Sequence, residues 1–412
     1  MNEFCNFTTQ FRIMKNICLA LLFCGLGIIA KAQSDTATVA VIGKEIQKKF
    51  APDKRTVFFN LRTKGDSVHL ETTSQAVIQE FEKAMPKVPN LKLAATLLPA
   101  KNLEGQIYGV SNLSVSNNRA APQHAAELMT QTLLGTPVLV LKKQGGFYLV
   151  RTPDNYLAWV DAGGVTTMAK DEFERWKNAE KIIYTGDYGH SYLNASLTSQ
   201  RVSDLVNGNI LQLLGAEKDF YKVSYPDGRI AYLLKTQAVL YKEWVKRANP
   251  NADQILTSAK TFLGLPYLWG GTSLKGVDCS GFTKSAYFLN GVIIPRDASQ
   301  QALVGMPIDV MENDYISVEK CLKNLKPGDL LFFAASKRRG VVGGRITHTA
   351  IYMGNGEFIQ SAGMVKINSF VPTADNYDKG QSPTLVSARR MLTEIGTPEI
   401  TRVDQHEWYG KN

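Results

Sequence analysis

Cysteine and histidine are both scarce in this 412-residue chain, with five of each. No Cys/His group has the close spacing that ligates zinc, so no metal centre is expected. Basic residues outnumber acidic ones, 47 to 37, for a net charge of +10. Yet no run of six like charges occurs, and no basic stripe is interleaved with aromatics. Nucleic-acid binding is therefore disfavoured. Charge alone does not choose among the other anionic partners, such as a cell wall or a membrane surface. The chain also lacks an apolar run of the roughly 20 residues that a membrane span needs. What is present, 44% hydrophobic and 20% charged residues with 33 Gly and 16 Pro, is ordinary globular composition. It excludes a disordered chain, a collagen-like repeat and a coiled coil. The length implies roughly two to four domains.

The longest apolar stretch, Ile17 to Ala30, follows Met14-Lys15 and precedes Ala30-Lys31-Ala32, a small-x-small cleavage pattern before Gln33. Residues 1–32 are expected to be a signal peptide. The mature chain is then exported to the periplasm or beyond, with no stable membrane span. Cys5, Cys18 and Cys24 leave with the leader, and Phe23 is too large for a lipoprotein site at Cys24. Cys279 and Cys321 remain, in a compartment that favours disulfides. Either they pair, or one is kept free for its chemistry.

Residues 33–100 read as a small α/β region. Val57-Phe58-Phe59 and Val68-His69-Leu70 look like strands around Lys64-Gly65-Asp66, and Ser74 can cap a helix stopped by Pro86 and Pro89. A repeat follows. FYLVRTPDNYLAWV and FYKVSYPDGRIAYL match at a constant offset of 73, with Gly135/Gly208, Phe147/Phe220, Val150/Val223, Pro153/Pro226 and Asp154/Asp227 among the identities. Alternating strands around a Pro-Asp turn imply two small β-barrels, residues 101–170 and 171–245. They resemble bacterial SH3-like domains. Residues 246–412 open on helices, at Asn251 and at Asp278, and continue in strand-like runs at Leu330 to Phe333, Thr349 to Met353 and Glu357 to Gln360. That order is α+β with an antiparallel sheet.

The chemistry concentrates in this last part. Asp278 is a good N-cap, which puts Cys279 in the first turn of a helix. The helix dipole there is expected to lower the thiol pKa and favour a nucleophilic thiolate. Of the two C-terminal histidines, His406 lies in a polar tail, whereas His348 opens a strand that can hold an imidazole rigidly. His348 is the expected base, and Gln360 the expected group that orients its ring. A two-residue Asn355-Gly356 turn would put Gln360 on the face opposite His348. A three-residue Gly354-Asn355-Gly356 loop is therefore expected.

Together, Tyr267-Leu-Trp-Gly-Gly, Asp278-Cys-Ser-Gly, Pro295-Arg-Asp297, Leu325-Lys-Pro-Gly-Asp-Leu330 and the His348-to-Gln360 segment resemble the NlpC-type cell-wall cysteine peptidases, which have a papain-like core. The paired SH3-like modules resemble the subgroup of γ-D-glutamyl-L-diamino acid endopeptidases, or dipeptidyl-peptidase VI. Many members carry His where this chain has Gln360, so imidazolium stabilisation is expected to be weaker. The resemblance implies that Tyr267 and the Cys279 N–H hold the oxyanion. It implies that Asp278 and Ser280 line the substrate pocket and that Asp297 pairs with a free α-amine. It further implies that Glu127 and Trp159 of the first barrel close the same end. The basic stretch Lys337 to Arg345 reads as a solvated loop before the base. The implied reaction is hydrolysis of the γ-D-Glu–diamino acid amide in peptidoglycan stem peptides with a free N-terminal L-Ala, by a monomer needing no cofactor. The alternatives are a non-catalytic wall-binding protein, against which the intact Cys279/His348 pair argues, and an amidase acting on glycan-linked peptide.

Overall fold

The offset of 73 residues runs through the whole of two consecutive barrels in the computed structural model, which describes residues 35–248, 250–313, 315–334 and 344–410. The leader and most of the Lys337–Arg345 stretch lie outside the described residues. Strands Pro137–Gln144, Phe147–Arg151 and Leu157–Asp161 recur as Ile210–Glu217, Phe220–Ser224 and Ile230–Leu234. Each barrel is a seven-stranded sheet, and one strand order is the other read backwards. The backbone positions with positive φ recur too: Gly135 and Gly208, Gly145 and Lys218, Asn155 and Gly228. The last pair follows the Pro-Asp turns, where the chain must reverse through the left-handed region that Asn and Gly enter at least cost.

The chain divides into two units, residues 1–100 and 101–412. In the first, a helix over 35–50, α1, precedes strands β1 (Phe59–Lys64) and β2 (Ser67–Thr72). Helix α2 (Gln75–Ala84) is capped by Ser74, whose side chain accepts from the Val77 N–H. Strand β3 (Lys92–Leu97) then pairs parallel with β2. The first strand begins two residues later than its apolar run suggests, and α1 and β3 were not anticipated. Ile42, Ile46, Leu70, Val77, Ile78 and Phe81 close this core.

In the second unit, the segment after the barrels contains helices α3 (Ala252–Lys260) and α4 (Cys279–Phe288), and α5 (Val318–Asn324) precedes the main strands. A six-stranded antiparallel sheet runs in the order Met306–Pro307, β8 (Leu385–Arg390), β4 (Leu330–Ala334), β5 (Ile346–Gly354), β6 (Glu357–Ala362), β7 (Met364–Ser369). Alternation assigns the two faces. Leu330, Phe332, Ile351 and Ile359 pack with Ile255, Phe262, Phe282 and Tyr287 of the α3–α4 side. Leu331, Phe333, Ala350, Tyr352 and Phe358 pack with Cys321 and Leu325 on the α5 side. The fold is α+β. Cys279 and Cys321 are both free and buried, not paired. Among the described residues no helix is long and apolar enough to cross a membrane.

Candidate active site

Helix α4 starts where the sequence says it should. Asp278 has extended backbone and its side chain accepts the Gly281 N–H at 2.6 Å. This capping satisfies one orphan donor of the first turn. Cys279 is the first helical residue, and its own N–H has no acceptor within the helix. The helix start lies so close to the Gly270-Gly271 segment that a Cβ on Gly281 would strike Gly271 O. Only glycine fits there, which explains the Asp-Cys-Ser-Gly order. Cys279 Sγ lies 4.0 Å from Thr347 O and also faces the Thr349 backbone, so its contacts bracket His348.

His348 and Gln360 meet: Nε2 and Oε1 are 2.7 Å apart. The route differs from the expected three-residue loop. Gly354 pairs with Glu357 across a two-residue Asn355-Gly356 turn, with φ of 53° and 82°, as a type I′ hairpin requires. A bulge between Tyr352 and Gly354 then shifts the register by one, so that Ile351 faces Ile359. The shift returns Gln360 to the face of His348. Gln360 is wholly buried, and its amide nitrogen donates to Asn368 Oδ1 at 2.9 Å and Asp378 Oδ2 at 2.8 Å. Neither partner was anticipated. They lie 8 and 18 residues on, and no local pattern announces them.

The thiol is not acidified. Burial, and then the negative charge of Asp278, push the Cys279 thiol up to about 12. Burial pushes His348 below its ordinary value, against the bond to Gln360. Burial therefore opposes both the thiolate and the imidazolium, whereas the helix start favours the thiolate. Burial, with Cys279 and Asp278 nearby, raises the Tyr267 phenol far above its ordinary value. Tyr267 is thus a permanent hydrogen-bond donor, and among the described residues its hydroxyl has no partner.

Several of the expected substrate-lining groups are occupied internally. Arg296, wholly buried, gives 2.6 and 3.1 Å bonds to the two Asp278 oxygens, 3.0 Å to Ser280 Oγ and 2.9 Å to Thr130 Oγ1 of the first barrel. Asp278 and Ser280 therefore anchor the helix start rather than standing open. Asp297, a quarter exposed, accepts from Tyr156 of the first barrel at 3.1 Å. Glu127 accepts from the Trp269 indole at 2.8 Å. Trp159 is only 7% exposed in its barrel strand, whereas Trp269 is 60% exposed. The open indole at this seam is Trp269. Tyr156 and Thr130 were missed because their partners lie over 140 residues away. Among the described residues no group of three or more His, Cys, Asp or Glu could hold a metal ion.

The sequence profile of the NlpC/P60 family matches residues 264–390, and that of the bacterial dipeptidyl-peptidase Sh3 domain matches residues 118–164. A gamma-D-glutamyl-L-lysine dipeptidyl-peptidase of Bacillus cereus is 33% identical over 246 residues, which span 58% of this chain and 68% of that protein. This chain belongs to the NlpC/P60 family. The gamma-D-glutamyl-L-lysine dipeptidyl-peptidase of Bacillus subtilis is 31% identical over 65% of this chain and 82% of its own length. A crystal structure of an NlpC/P60 family protein from Bacillus cereus superposes with a TM-score of 0.57 at 26% identity, covering 69% of this chain and 99% of that one. The protein is a cysteine peptidase of this family of cell-wall hydrolases.

Proposed function

We propose that this NlpC/P60 peptidase is exported and cuts the amide between γ-D-Glu and a diamino acid in peptidoglycan stem peptides whose N-terminal L-Ala is free. Cys279 Sγ attacks the scissile carbonyl carbon, and its proton passes to His348 Nδ1. The Cys279 N–H and the Tyr267 hydroxyl hold the oxyanion. His348 returns the proton to the departing amine, leaving a thioester. Water then adds to the thioester, gives a proton to His348, and the acid leaves as the thiol re-forms.

The observation that carries the substrate assignment is the seam between the first barrel and the peptidase segment. There Glu127 sits on Trp269, two residues from Tyr267, and Tyr156 sits on Asp297, next to the Arg296 that anchors Asp278. Two carboxylates and an exposed indole suit an ammonium group, whose desolvation must be offset by opposite charge. The aromatic wall is assigned to Trp269 in place of Trp159. The dipeptidyl-peptidase names of the relatives agree with release of a dipeptide from a free N-terminus.

The test is cleavage of L-Ala-γ-D-Glu-diamino acid tripeptide with and without N-acetylation, products read by mass spectrometry. Acetylation should lower kcat/KM by at least ~100-fold, because it removes the charge and adds bulk. Equal cleavage of both peptides would make the protein a hydrolase of intact wall.

A further inference from the structure

We propose that Asp378 is a positioning residue: it holds the Gln360 amide in one orientation and so keeps the His348 proton on Nε2, leaving Nδ1 as the base. The proposal rests on the reading of His348 as the base and names what aims it.

Groups that can only accept fix the hydrogens of this chain of bonds. Asn368 Nδ2 donates to the backbone carbonyl of Asn376 at 3.2 Å, so Asn368 Oδ1 is turned towards Gln360. Asp378 Oδ2 is the second acceptor, at 2.8 Å. An amide nitrogen has two hydrogens, and these two bonds use both. Gln360 Oε1 must then face His348, where it can only accept, and Nε2 must carry hydrogen. Reversing the amide would place its oxygen against the oxygens of Asn368 and Asp378, two repulsive contacts inside a wholly buried site.

Asp378 is itself built in. Its Oδ1 accepts the N–H groups of Gly380 at 3.0 Å and Gln381 at 2.8 Å, its N–H donates to Ser369 O, and its own carbonyl accepts from Ser382. Burial works against the charged form, but the bonds from Gln381, Gln360 and Gly380 outweigh it, so the carboxyl titrates below its ordinary range. The loop that carries it lies between β7 and β8, beyond any pattern centred on the catalytic motifs. Its negative charge lies behind Gln360. Where an imidazole in third place could share the developing positive charge, the neutral Gln360 amide can only pass on the field of the carboxylate behind it. The charged groups facing the His348 ring are Asp378 and Asp278, which favour its protonated form, and Lys366, which opposes it.

The test is Asp378→Asn in the full chain, with kcat and KM for the free tripeptide measured across pH. Loss of the purely accepting group should lower kcat about 10- to 100-fold with little change in KM, the range seen when outer partners of metal-bound imidazoles are removed. Loss of the charge should move the acidic limb to lower pH. A merely structural role would do the opposite, because loosening the site hydrates the ring and moves the limb up. Asp378→Glu should keep the limb near its wild-type position. Nitrogen-15 shifts of His348, assigned against His348→Ala, should show hydrogen on Nε2 in wild type, a readout that holds whether or not the variant folds. Wild-type kcat in Asp378→Asn, an upward-moving limb, or hydrogen on Nδ1 in wild type would each overturn the proposal. If His348→Ala itself retains turnover, it is the underlying reading of the site that falls.

Discussion

Replacing Arg296 by Met tests how the nucleophile's helix is anchored. The guanidinium is wholly buried, bonded at 2.6 and 3.1 Å to Asp278, at 3.0 Å to Ser280 and at 2.9 Å to Thr130. Methionine fills most of the space but leaves the Asp278 carboxylate, 7% exposed, without its counter-ion. Breaking a buried pair from one side costs ~3–5 kcal/mol. Asp278 still accepts from the N–H groups of Gly270 at 2.9 Å and Gly281 at 2.6 Å, which keeps the loss near the lower end, about 3 kcal/mol. In large domains each kcal/mol moves the melting temperature by ~2–4 °C, so the variant should melt ~6–12 °C lower. R296M/D278N should recover much of that loss, because Asn caps a helix about as well as Asp and leaves no unpaired charge. The assay is a double-mutant cycle from urea unfolding, followed by tryptophan fluorescence at constant pH. A loss below ~1 kcal/mol for R296M, or a double variant no more stable than R296M, refutes the reasoning. A second readout lies at the thiol. Arg296 lowers the Cys279 pKa and Asp278 raises it, so alkylation of Cys279 by iodoacetamide should slow in R296M.

Cys279→Ala should reduce tripeptide hydrolysis by on the order of 10⁴-fold or more, while Cys321→Ser, a buried core position on α5, should leave turnover largely intact; retained hydrolysis in the first variant would remove the cysteine mechanism. The acidic limb of kcat/KM should have its midpoint below 6.5, because the base must be neutral and burial holds His348 under that ordinary value; a limb at or above 6.5 would contradict the buried geometry. Stability should fall over the same window. His348 and His406 both titrate lower folded than unfolded, so below pH 6.5 the unfolded chain takes up protons first and the contribution is lost as pH drops towards the folded values. A urea midpoint unchanged between pH 7 and pH 5 would count against it.

What the sequence by itself determined is local. A short acidic side chain before an apolar-periodic run folds back onto its own first turn, so Asp278 as cap and Cys279 as first helical residue could be read directly. The repeat could be read because each copy must reverse its chain at the same places, and Asn155 and Gly228 enter the left-handed region 73 residues apart. Alternation showed the strand that carries His348. Tertiary structure decided the rest. The helix start argued for an acidic thiol, but the thiol's pKa depends on what surrounds it, and burial beside Asp278 reverses the sign. Loop length argued for the face of Gln360, but a bulge at the strand end sets it, and bulges answer to packing on both sheet faces. Asp278 reads as a pocket group; the fold pairs it with the buried Arg296, which Thr130 of the first barrel also holds. Asp378 carries no local signature at all. Backbone rules act over one turn or one hairpin and are written in adjacent residues. Desolvation and charge pairing act through space, between residues that only the fold makes neighbours.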